Sequence, residues 1–186
     1  MKKIFLNRCI RISATLATMA SLTGCGSVAP ACGDTETLAL VSSIAMKSLL
    51  QKRNELGVAA ALLAGIEDRV AFTVSSVRTV KINEKIGWTS CEATLAVKLP
   101  EKAKQLLEHP LFSQVILTDP ALREVQVDGG SASIAVAYTS QLTDDKTQQS
   151  VALSDAQSLV DFIATLATIG GFSVDETATS PSKKGL

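Results

Sequence analysis

One histidine, three adjacent carboxylate pairs and four cysteines are the residues of this chain whose types can do chemistry. His109 precedes Pro110 at the end of a helical stretch, where a donor or cation serves the last helix carbonyls. A Ser/His/Asp site would have to use it, yet no Gly-x-Ser-x-Gly elbow presents a serine. Glu67-Asp68, Asp144-Asp145 and Asp175-Glu176 fall at turns or in the tail. Neighbouring acids in a turn are solvated and do not converge on one bond as two-carboxylate hydrolysis requires. No EF-hand spacing, His-Glu-x-x-His or Walker loop occurs, and Gly129-Gly130 reads as a hairpin turn rather than a phosphate cradle. These patterns predict a protein that is not an enzyme and takes no cofactor and no metal.

Contact chemistry is the remaining kind. Trp88, the single tryptophan, lies on the strand parity opposite Cys91, and exposed aromatics often anchor interfaces. Trp88, with Arg78 and Lys85 close by in the pattern, forms the candidate binding set. Lys183-Lys184 near the C-terminus offer anionic headgroups only about 2 kcal/mol, too little to define a role.

Of the 18 Lys and Arg, four (Lys2, Lys3, Arg8 and Arg11) lie in the first 24 residues, which carry no acid. The rest of the chain therefore has 14 basic against 18 acidic side chains, a charge near −4. With aromatics at 4%, this balance gives no basic, aromatic-interleaved surface for a phosphate backbone, and no nucleic-acid partner is expected. The 186 residues, 46% of them hydrophobic, suit one domain with an ordinary core.

Residues 1–24 run from charge through the apolar Ile12 to Leu22 to small residues, the three-part form of an export signal. The apolar part is about ten residues, half of what a helix needs to cross a bilayer. Leu22-Thr23-Gly24-Cys25 resembles the lipobox of bacterial lipoproteins at all four positions. The resemblance implies a thioether-linked diacylglycerol on Cys25, cleavage before it by signal peptidase II, and acylation of its new amino group. Two or three acyl chains hold where a single one binds only marginally. In that family an Asp after the cysteine favours the inner membrane; Gly26 stands here, which implies the inner leaflet of the outer membrane, facing the periplasm.

With Cys9 leaving in the signal and Cys25 taking lipid, Cys32 and Cys91 remain as a pair in an oxidising compartment, and a disulfide between them is expected. A metal or redox pair is the alternative, but there is no Cys-x-x-Cys and no nearby histidine. Seven steps separate Cys25 from Cys32, so the domain would sit within ~25 Å of its membrane.

The elements that must position these residues follow from periodicity. Asp34 stands at a cap position, and Leu38, Val41, Ala45 and Leu49 recur at helical spacing, predicting a helix over about 35–52. Gly57 to Ile66 either prolongs it or forms a second short helix. Phe72, Val74, Val80 and Ile82 on one parity predict a strand, with Asn83-Glu84-Lys85 as its turn. Cys91, Ala93, Leu95, Val97 and Leu99 predict the next, with Cys91 facing the core.

Pro100 opens a short helix to Glu108, with Ala103, Leu106 and Leu107 inward, and His109-Pro110 ends it. Strands at 122–127, at Ile134-Val136-Tyr138 and at 150–153 are read as an antiparallel meander. A last helix starts at Ser154, spaced from Gln157 as a capping box, and runs to Gly170-Gly171.

The expected fold is α+β, an antiparallel sheet of about four to five strands with an N-terminal and a C-terminal helix packed on it. The expected organisation is a signal at 1–24, a lipidated tether at 25–33, one domain at 34–172 and a tail at 173–186. A helix, paired strands with a cysteine in the second, and a Tyr-containing strand before an Asp-Asp turn are together similar to small uncharacterised periplasm-facing lipoprotein domains. That similarity implies no activity.

The functional expectation is a noncatalytic binding or accessory lipoprotein, such as an inhibitor, immunity or exclusion factor, that meets a protein of the cell envelope. The alternatives are a structural part of a secretion or conjugation assembly, or an envelope hydrolase. Oligomeric state is left open.

Overall fold

Every second residue of the stretch from Thr89 to Leu99 is buried, and so is every second residue from Ala132 to Ser140. These two runs are the central strands of the fold. The computed structural model describes residues 29–56, 61, 63–119, 122–145 and 147–172. The signal, Cys25 and the polar tail expected from the sequence lie outside the described residues, as does most of the segment between Gly57 and Leu62.

The elements run α1 (Thr35–Glu55), β1 (Phe72–Asn83), β2 (Trp88–Lys98), α2 (Glu101–Glu108), α3 (Pro110–Thr118), β3 (Gln126–Asp128), β4 (Ser131–Leu142), β5 (Gln149–Ser154) and α4 (Gln157–Thr168). Five strands form one antiparallel sheet, ordered β1-β2-β4-β3, with β5 also on β4. The class is α+β, with α1 and α4 packed on the sheet and on each other. The strands after residue 122 do not form a meander. β2 pairs with β4 along its whole length, and β3 and β5 share the other edge of β4, opposite Ala132 and Tyr138 respectively.

α1 buries Thr37, Val41, Ala45 and Leu49, one residue every four, so its buried stripe begins at a threonine and Leu38 is only half-buried. The Thr37 hydroxyl is satisfied there, donating to the Ala31 carbonyl at 3.2 Å. α4 follows with Leu159, Val160, Phe162, Ile163, Ala164, Leu166 and Ala167 all buried. Each large aliphatic or aromatic side chain so buried contributes about 1.5–3 kcal/mol. Lys52 on α1 reaches Asp161 on α4 at 3.0 Å, and Arg53 reaches Glu67 at 3.5 Å.

Three local readings are corrected. The stretch 122–127 is mostly turn: a short 3-10 segment at Leu122–Glu124 draws Leu122 and Val125 into the core, and only Gln126–Asp128 pair. Ser154 is not the cap of the last helix, because it is still paired with Ala137 in β5; Asp155 turns the chain at φ 65° and the helix starts at Gln157. Pro110 begins a helix as well as ending one, since its missing N–H costs nothing in a first turn.

β1 also departs from simple alternation. Its register with β2 shifts between Ser75 and Arg78 and again between Thr79 and Lys81. The first shift moves Val77 and Thr79 to the inner side; the second restores the original parity at Ile82, opposite the buried Thr89. Val80 and Ile82, expected in the core, are 54% and 55% exposed.

Candidate functional site

Cys32 and Cys91 form the expected disulfide, with Sγ–Sγ 2.01 Å and Cα–Cα 5.7 Å across 59 residues of sequence. Both cysteines are buried, and Thr79, the β1 partner of Cys91, donates its hydroxyl to Cys32 Sγ at 3.3 Å. The Tyr138 hydroxyl, from the next strand, donates to the Cys32 carbonyl at 2.7 Å. Pro30 is already buried, so the chain is packed against the domain four residues before the expected boundary at 34.

Burial pushes the Tyr138 phenol above its ordinary 10.0, so it remains a neutral donor. Tyr138→Phe is expected to lower stability by about 1–2 kcal/mol in urea denaturation, the net value of one buried hydrogen bond plus an orphaned carbonyl. It also gives a pH signature. The native phenol ionises later than the unfolded one, so this contribution is complete below pH 10 and is lost as pH rises through the native value. Tyr138 is the single tyrosine of the chain, so the alkaline loss it contributes should be absent from the Phe variant.

The polar ring beneath this pin was not legible from the sequence. Gln149 Nε2 donates to Thr37 Oγ1 and to Ser140 Oγ, each at 2.6 Å, tying the start of β5 to the first turn of α1. The first turn of α1 therefore lies at the end of the sheet that carries the β1–β2 and β4–β5 turns. Gly87 turns the first of these with φ 59°, and its carbonyl accepts from the Leu142 amide at 3.2 Å. A cleft of about 250 Å³ separates the two turns, with Lys85 and Ile86 on one wall and Thr143 and Asp144 on the other. Asp145 in the second turn accepts from the Thr143 and Thr147 hydroxyls and from the Thr147 amide. These bonds hold its carboxyl down at about 2.

The three candidate binding residues divide. Trp88 is half-buried on the outer face, opposite Asn83 and Gln141, and Lys85 is exposed in the adjoining turn. Arg78 shares their face but stands four β2 residues away, about 13 Å, where it pairs with Glu92 through Nε at 2.9 Å and through its terminal nitrogen.

A shallow depression of about 390 Å³ opens beside that pair, lined also by Thr94, Ala135 and Ala137. Two further lining residues, Ser76 (φ 52°) and Asp155 (φ 65°), hold left-handed backbone without being glycine. Neither glycine nor asparagine marks these positions, so sequence inspection had no signal for them.

His109 is exposed and ends α2, its Nδ1 accepting from the Leu111 amide at 3.4 Å. Glu67 is engaged by Arg53 on the helix side of the molecule, far along the chain from the Asp144-Asp145 turn, and Asp175-Glu176 lies outside the described residues. Among the described residues no three His, Cys, Asp or Glu side chains gather as metal ligands, and no helix is long and apolar enough to cross a membrane. Compared with protein-family models, with curated proteins and with solved structures, the chain matches none of them.

Proposed function

We propose that this chain is a lipid-anchored, noncatalytic binding module of the cell envelope, held by acylated Cys25 to the periplasmic leaflet of the outer membrane and docking an envelope protein on the open face of its sheet. The observation that supports it is the outer-face depression around Arg78 and Glu92, framed by Ser76 and Asp155 in left-handed backbone. Strained residues of this kind cost about 1–3 kcal/mol each and persist where surrounding structure holds them, commonly at binding surfaces. An antiparallel sheet with helices on one side leaves such a face free for contact.

Two measurements test this reading. The mature N-terminus should carry the mass of acyl chains on Cys25, and Cys25→Ser should move the protein from the membrane to the soluble fraction. In intact cells, a photo-crosslinking side chain at Ala135, exposed on the outer face, should give one dominant protein adduct that Arg78→Glu abolishes. The same probe at Lys47, exposed on α1, should not give that adduct. An equal, diffuse background from both positions would remove the docking claim, and an acyl-free N-terminus would remove the anchor.

A further inference from the structure

Six large hydrophobic side chains are exposed among the described residues, and three of them, Val80, Ile82 and Ile86, fall within seven residues at the β1–β2 hairpin. Their exposure is 54%, 55% and 55%. The other three, Leu111, Val127 and Ile169, are scattered singly over other elements. The same hairpin carries Lys81 and Lys85, both exposed, against Glu84, on a domain whose charge beyond residue 24 is near −4. An apolar cluster with basic neighbours is therefore concentrated at one end of an otherwise acidic molecule.

That end is also where the chain enters. Cys32 is bonded to β2 at Cys91 and contacted by Thr79, the residue before Val80. The first turn of α1 is tied to Gln149 at the start of β5, and α1 then runs away from the hairpin towards Glu67. From the Cys91 rung to the Trp88 rung is three residues, about 10 Å. From Cys25 to the buried Pro30 is five steps, at most ~18 Å of extended chain. A leash this short, entering beside the apolar tip, leaves that tip as the part of the domain nearest the bilayer.

We propose that the β1–β2 hairpin rests on the membrane that holds the lipid, with Val80, Ile82 and Ile86 dipping into the boundary between headgroups and acyl chains and Lys81 and Lys85 meeting anionic headgroups. This rests on the reading that Cys25 is acylated. Interfacial contact of this kind is built from buried apolar area plus attraction of cations to anionic lipid. Trp88, half-buried at the same end, is placed as an amphipathic ring at headgroup level. Asp144 and Asp145 in the facing turn carry the opposite charge, so the contact is made on the β1–β2 side of the cleft. The outer face above it stays clear for a protein.

The test uses the mature full chain, extracted from membranes and reconstituted in vesicles of phosphatidylethanolamine and phosphatidylglycerol brominated near the headgroup. Bromine quenches only at contact range, and Trp88 is the sole tryptophan. Wild type should show Trp88 emission clearly quenched relative to unbrominated vesicles. The double variant Ile82→Ser/Ile86→Ser should return it to the unquenched level, and Lys81→Glu/Lys85→Glu should do so in anionic vesicles. Near-UV circular dichroism of each variant confirms folding, and the charge variant leaves the apolar residues untouched should the first fail to fold. The intact mass of the same sample reads the acyl chains separately. An acylated protein whose Trp88 is unquenched, or whose hairpin variants behave as wild type, overturns the contact alone. The same outcome with loss of a protein cross-link assigns the hairpin to a protein partner instead. A protein without acyl mass overturns the anchor and the contact together.

Discussion

Replacing Cys91 by alanine lowers the unfolding free energy by about 4 kcal/mol. The bond to Cys32 closes a loop of 59 residues, and on the chain-entropy account most of its effect is to restrict the unfolded chain. The native side adds to it. Cys91 is fully buried on the central strand β2, and the opposite end of the bond holds the entering chain, whose Cys32 carbonyl is the acceptor for Tyr138. Domains of this size have about 5–15 kcal/mol in total, so the loss is a large share of it. Urea denaturation of the oxidised protein against Cys91→Ala, and against wild type in reductant, should give matching losses. A difference within about 1 kcal/mol in both comparisons would mean that the loop is closed by other contacts already.

The disulfide was legible in the sequence because it follows from counting cysteines under the expectation of an oxidising compartment rather than from geometry. The central strands were legible for a different reason: both faces of β2 and β4 see different solvents, so Cys91 to Leu99 and Ile134 to Tyr138 alternate without interruption. β1 is an edge strand with one neighbour, and an edge tolerates the bulges that shift its register twice. Counting parity from Phe72 therefore misplaced Val80, which falls in the shifted stretch; Ile82 regains the inner parity opposite Thr89 yet is 55% exposed near the hairpin end, and the exposed cluster went unseen. The pairing of β2 with β4 was equally hidden, because it joins residues some 30 to 50 positions apart and no local pattern encodes a non-local partner.

The candidate surfaces divide along the same line. Trp88 announced itself by type and parity, and it stands at the hairpin end with Lys85. Arg78 was grouped with them from sequence proximity, but the strand direction carries it to Glu92 and into the outer-face depression. Ser76 and Asp155 have ordinary residue types, and only the backbone shows them. The proposed bilayer contact of the hairpin and the proposed protein contact of the sheet face are compatible, since one is the end of the sheet and the other its side.

Phe162→Ala should cost about 3–5 kcal/mol, comparable with the disulfide, and should do so without touching either surface. α4 is buried on most of its circumference because it lies between α1, β4 and the turn at Leu122, and Phe162 is among the largest fully buried side chains. Truncation removes the ring's transfer free energy and leaves a cavity that surrounding structure fills only partially. Phe162→Leu keeps most of the volume and should cost under about 1.5 kcal/mol if the site repacks. Ile82→Ser, at 55% exposure, should change stability within about 0.5 kcal/mol. Urea denaturation of the three variants ranks them directly. If Ile82→Ser proves as costly as Phe162→Ala, the hairpin isoleucine is part of the core and the apolar tip has a structural cause. If the expected order holds, the folded domain does not depend on Ile82, which leaves that side chain free for the proposed contact at the hairpin.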